Sequence, residues 1–174
     1  MRTFLLALAL TSVALATAAC AAGETSSQAL EERNEQVVLT MMDAVNARDL
    51  DALDTIVAPN MVRHSAATAD VVVRSLDDFK AFLQADFAMV PDSRMTVNRI
   101  FAGDDMVAVH ATYAGTQEGP MGPFPASGKR MELPFIGMLR IADGKIAEMW
   151  VEWDNLNALM QLGHFPPPGM APNP

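Results

Sequence analysis

Apolar positions change their period along this chain. From Leu30 to Arg48 they follow a helical repeat: Val37, Met41 and Val45, with Val38 and Met42 beside them, form one stripe, as on a helix with one buried side. Asp49 can cap a second short helix whose inner side is Leu50, Leu53, Ile56 and Val57. Ala58-Pro59-Asn60 breaks it. Met61-Val62-Arg63-His64 then reads as a short strand, Ser65 to Asp70 as a small-residue loop, and Val71-Val72-Val73 as a strand extension or a bridge. Ser75-Leu76-Asp77-Asp78 has the serine-to-acid spacing of a capping box. The helix it starts runs to about Ala88 and buries Phe79, Phe82, Leu83 and Phe87, with Pro91-Asp92 as its end.

After Pro91 the period drops to two. Strands are expected over 94–102, 106–116, 130–140 and 145–153. Gly103-Asp104-Asp105 and Ala142-Asp143-Gly144 are hairpin turns, and Gly119 to Gly128 is a longer Pro/Gly loop. On the last strand Ala147, Met149, Val151 and Trp153 share one face. Ile146, Glu148, Trp150, Glu152 and Asp154 share the other. A short helix, Asn155 to Leu162, follows and Gly163 stops it. Helices first and strands after give an α+β domain, with helices covering one face of a curved antiparallel sheet.

Composition narrows the picture. A hydrophobic content of 51% suits a folded domain, and a net charge of -9 argues against nucleic acid as a partner. Thirteen methionines are many for this length and suit irregular apolar space. The first 19 residues have a positive start at Arg2, an apolar run from Phe4 to Leu15 and small residues after it. They read as a secretory signal. Residues 20–29 are a small, polar tether, 30–163 the domain, and 164–174 an extended Pro-rich tail that begins with an exposed His164. The lone cysteine, Cys20, directly follows the signal's small residues. This stretch resembles a bacterial lipoprotein signal, with Cys20 as the lipidated residue and the cell envelope as the location. Cleavage after Ala16-Thr17-Ala18 would instead release a soluble secreted protein.

From about Glu35 to Gly163 the chain resembles the SnoaL-like polyketide cyclases, also described as predicted ester cyclases. The likeness rests on an ordered set of pieces. These are Asn46 to Leu53, Ala58-Pro59 with Met61 to His64, Leu76 with Phe79 to Phe82, Pro125 to Lys129, Arg140 to Ile146, Glu148-Met149-Trp150, Asp154, and Gln161-Leu162-Gly163. It implies the cone-shaped fold shared with ketosteroid isomerase and nuclear transport factor, in which a bent sheet wraps N-terminal helices and encloses a pocket. It also implies a homodimer through the outer sheet face. Members of known activity close a ring by an intramolecular aldol reaction, with an aspartate as acid and base and no metal or cofactor. A carboxylate desolvated in an apolar pocket is raised toward neutrality, which suits that work.

Asp154 matches the family's acid after the tryptophan strand, and it also stands where a helix cap belongs. His64 matches a family histidine that could polarise a substrate carbonyl; a satisfied structural histidine is the alternative. Val151 stands where many members carry an acid, and Gln117 where many carry His. His110, Trp150, Phe135 and Met138 are candidate pocket lining, with plain core as the alternative for the apolar ones. Glu148 and Glu152 lie on a solvated or dimer-contacting face unless a bulge near Trp150 reverses it. Three histidines without close spacing do not make a metal site. An epoxide-hydrolase-like reading needs an arginine between two acids, and neither Arg94, Arg99, Arg130 nor Arg140 can be given that place from sequence. The expected function is a pocket for a small apolar, carbonyl- or ring-bearing molecule, with isomerase, cyclase or hydrolase chemistry through Asp154 and His64. The alternative is a non-catalytic binding or dimerisation module of the envelope.

Overall fold

The computed structural model describes the backbone over residues 7–166 and the side chains over residues 27–166. Cys20, the expected signal and residues 167–174 of the tail lie outside the residues whose side chains are described. The elements are α1 (Ala7–Ala47), α2 (Leu53–Ile56), β1 (Val57–His64), α3 (Leu76–Met89), β2 (Arg94–Gly103), β3 (Met106–Thr116), β4 (Arg130–Ala142), β5 (Lys145–Trp153) and α4 (Asn155–Leu162). The five strands form one curled, unclosed sheet in the order β1-β5-β4-β3-β2. Helices cover its inner face, so the α+β cone expected from the sequence is the observed architecture.

One strand departs from the all-antiparallel expectation. β1 pairs parallel with β5, whereas β2 to β5 form an antiparallel meander. A hairpin forces neighbours to run antiparallel, but a long connection does not. Between β1 and β5 lie α3, β2, β3 and β4, so no turn sets their relative direction. β1 also begins earlier than the Pro59 break suggested. Its pairing slips between Val57 and Val62, and an edge strand can hold a proline there because its missing N–H costs no central ladder bond.

Local signals acted as their chemistry predicts. Ser75 caps α3 by accepting from the Asp78 N–H at 3.0 Å, and Asp78 in turn accepts from the Arg74 N–H. Asp143 and Gly144 both take positive φ in the two-residue β4–β5 turn, the conformation such hairpins require. On α1 the stripe Val38, Met41, Met42 and Val45 is buried. Asn46 braces that helix to β2 by bonding both the N–H and the C=O of Met95 at 2.8 Å.

The interior holds two apolar clusters. The larger joins α1, α2, β1 and α3 to the inner faces of β3, β4 and β5. The smaller gathers Val90, Met131, Leu133, Ala158 and Leu162 where α4 packs on β4. Tyr113 and Trp153 are only partly buried and touch both clusters. They join the two clusters.

Candidate functional site

Strand register decides what can act together. A bulge between β4 and β5 opposes Ile141 to Ile146 but Arg140 to Glu148. Ile146 therefore points inward with Met149, and not outward with Glu148 and Trp150 as a strict alternation had it. The residues after the bulge keep the expected faces. Met149, Val151 and Trp153 pack on the core, while Trp150 and Glu152 are exposed.

Most of the sequence candidates consequently lie outside the cone. One row of paired residues crosses all five strands: Phe101, Ala108, Met138, Trp150 and His64. Trp150 and Met138 belong to this outer row, and His110 is exposed beside it, opposite Ile136. All three were expected as pocket lining, and all three face away from the interior. Their parity on the strand is opposite to that of Leu139, Met149 and Val109, which are buried. Of the expected lining residues, Phe135 alone is inside.

His64 and Asp154 are not brought together. His64 is exposed, stacks on Trp150 at 5.1 Å and shares a 2.8 Å hydrogen bond between its Nε2 and Glu148 Oε1. Arg140 Nε donates to the other Glu148 oxygen at 3.2 Å. The His64 bond first, then the Arg140 bond, holds the Glu148 carboxyl below its ordinary range. His64 pairs with Trp150, so Asp154 lies four residues farther along, about 13 Å at strand spacing. Asp154 is exposed and accepts from the Asn157 N–H at 3.0 Å, the bond of a helix N-cap. Glu152 pins the β1–α3 loop by accepting from the N–H groups of Ala66 and Ala67.

Three polar residues face the interior instead, and sequence reasoning passed over all of them. On α3, Asp86 sits one turn after Phe82, on the same side as Phe79 and Leu83. Its carboxylate accepts from the Tyr113 hydroxyl at 2.9 and 3.1 Å, and from Ser93 Oγ at 3.3 Å. Burial pushes this carboxyl up, against the pull of Tyr113, Ser93 and Arg48. Burial first, and then the Asp86 charge, pushes the Tyr113 hydroxyl up as well. Arg48, in a left-handed conformation just past α1, lies over the Phe87 ring and donates to the carbonyls of Pro91 and Ser93 and to Ser93 Oγ. The third residue is Arg63, 7% exposed on the inner side of β1. Its guanidinium lies 4.5 Å from the Phe82 ring centre and 5.8 Å from that of Trp153. A visible signal existed for two of them. Asp86 interrupts an apolar helical stripe, and Arg63 has the strand parity of buried Met61.

The tail start is also more enclosed than expected. His164 is half-buried, stacks on Phe124 and bonds the fully buried Gln117 at 2.8 Å. Among the described residues, no three His, Cys, Asp or Glu side chains converge as metal ligands, and no helix is long and apolar enough to cross a membrane.

The model of the SnoaL-like polyketide cyclases matches residues 35–162, the stretch that builds this cone. The chain belongs to that family. TsrD of Streptomyces laurentii is 28% identical with a TM-score of 0.68, over 76% of this chain and 96% of its own. IdmH of Streptomyces antibioticus, a proposed polyketide cyclase, is 29% identical with a TM-score of 0.68, over 75% and 98%. An LEH-like epoxide hydrolase of M. tuberculosis shares the fold at 17% identity and a TM-score of 0.62, over 76% and 90%. No curated protein matches the sequence.

Proposed function

We propose that this SnoaL-like domain takes a small carbonyl- or ring-bearing molecule into the cone and moves a proton on it, as an isomerase or cyclase does. The observation that carries this reading is the Asp86–Tyr113 pair on the inner wall. A carboxylate raised by burial is a stronger base than an exposed one, and once Asp86 has taken a proton the Tyr113 hydroxyl is released from it and can donate to the oxyanion that forms. Asp86 takes the proton beside the substrate carbonyl, and the C–H electron pair moves into the enolate. The enolate carbon attacks a second carbonyl of the same molecule and forms a C–C bond. The new alkoxide then recovers the proton from Asp86, so the step balances without a cofactor. Asp154 serves in this reading as the cap of α4, and His64 as an outer-face residue.

The test is ring closure of linear keto esters, followed by absorbance. Asp86→Asn is expected to lower turnover by about a hundredfold or more, while Asp154→Asn leaves it within a few-fold. The reverse ranking would restore the family's acid at Asp154.

A second proposal concerns the outer face. Phe101 is 63% exposed, Ile136 60%, Met138 47% and Trp150 37%. A contiguous apolar sheet face of this kind suits an interface, and the family's homodimer is its proposed occupant. Light scattering of the purified protein decides it. Anchoring in the cell envelope through Cys20 remains a proposal from the sequence, and mass spectrometry of the mature N-terminus tests it.

A further inference from the structure

Arg63 is nearly enclosed yet poorly paired. Of its five N–H donors, one bond is made, from Nη1 to Thr68 Oγ1 at 2.9 Å. Among the described residues, no carboxylate lies within ion-pair distance of it. Glu152 acts on it only from farther away, and burial lowers its proton affinity. Among the described residues, Nη2 and Nε have no partner, yet neither is sealed from solvent. The sole fully buried side-chain polar atom without a partner, among the described residues, is the Ser65 hydroxyl.

A buried cation without a counter-charge is costly, and evolution usually pairs it or removes it. Here it is kept between two aromatic rings, Phe82 and Trp153. Phe82 stands one helical turn before Asp86, a rise of about 6 Å. The arginine therefore meets the helix that carries Asp86 and faces the interior, away from the outer face. Its planar fork offers two parallel N–H groups, the geometry a carboxylate takes. The flanking rings offer flat apolar surface.

We infer that Arg63 is a binding site for a carboxylate carried on a flat, ring-bearing molecule, and that it selects acidic substrates for this pocket. This deepens the reading of the cone interior as the substrate site and depends on it. Arg63 holds and orients the ligand, and Asp86 does the proton transfer.

The experiment is calorimetric titration of the full chain with 2-naphthoate and with its neutral isostere 2-naphthamide. The wild-type protein is expected to bind the carboxylate at least about tenfold more tightly, the worth of one charge-assisted pair. In Arg63→Met the preference should vanish, and in Arg63→Lys part of it should return. Circular dichroism identifies a variant that fails to fold, and the wild-type comparison needs no variant. Equal binding of the two probes to wild type, no binding of 2-naphthoate, or a preference that survives in folded Arg63→Met would each overturn the assignment. Asp86→Asn should keep the preference. Loss of turnover without loss of this preference, or the converse, separates failure of the catalytic reading from failure of the binding site.

Discussion

The two faces of the sheet carry similar residue types and use them differently. The outer face has His64, Glu148, Arg140 and Trp150 in one connected group. The inner face has Arg63, Tyr113 and Trp153, with Asp86 of α3 bonded to Tyr113 across it. Outside, each charge has a partner and water within reach, so the group's effect on any proton is modest. Inside, burial dominates. It raises the Asp86 carboxyl where pairing lowers Glu148. Identical chemistry on opposite sides of one strand layer thus gives carboxyls of opposite behaviour. Desolvation selects the inner one for acid/base work.

Neighbouring residues on β4 give the sharpest contrast. Leu139→Ala removes a side chain that is 2% exposed and should cost about 2–5 kcal/mol of stability, read by urea unfolding. Met138→Ala, one residue away on the outer face, should change monomer stability by less than about 0.5 kcal/mol. In the proposed homodimer its effect should appear as weaker association instead. Comparable losses at both positions would mean that the faces are misassigned.

The next contrast is one of sign with pH. The folded state holds the Asp86 proton more tightly than the unfolded chain does. This contribution is therefore fully present below the unfolded value, about 4, and is lost as pH rises through the raised folded value. Thermal melts of Asp86→Asn should lack that decline. Glu148 behaves in the opposite way. Its contribution is present above the unfolded value and disappears as pH falls through the lowered one, so Glu148→Gln should flatten only the acid limb. The Glu148 effect is the smaller, because the group is open to solvent screening.

Asp154 offers a smaller test at the rim between the faces. Asp154→Ala should cost about 1 kcal/mol through the lost cap, and Asp154→Ser much less, since serine caps as well. If Asp154→Ser kept stability but abolished turnover, the cap would not be the side chain's main role.

Local signals carried far into this fold. The stripe on α1, the Ser75 cap, the Asp143-Gly144 turn and the Gly163 stop each depend on neighbours within a few residues. All could be read directly. The strand parity of β5 was legible from Glu148 onward, and it broke at Ala147 because a bulge depends on the partner strand. Asp154 was legible as a cap for the same local reason. Arg63 and Asp86 were less so. Their meaning comes from what surrounds them, and Phe82, Trp153 and Tyr113 arrive from three different elements.

The sequence by itself determined the element order, the turns and the family, because these rest on short-range periodicity and on an ordered set of local pieces. Only the tertiary structure decided that β1 lies parallel to β5, that Trp150, Met138 and His110 look outward, and that Asp86 and Arg63 look inward. Those outcomes depend on long-range pairing and on burial. Burial turns an ordinary carboxylate and an ordinary guanidinium into a candidate base and a candidate anchor.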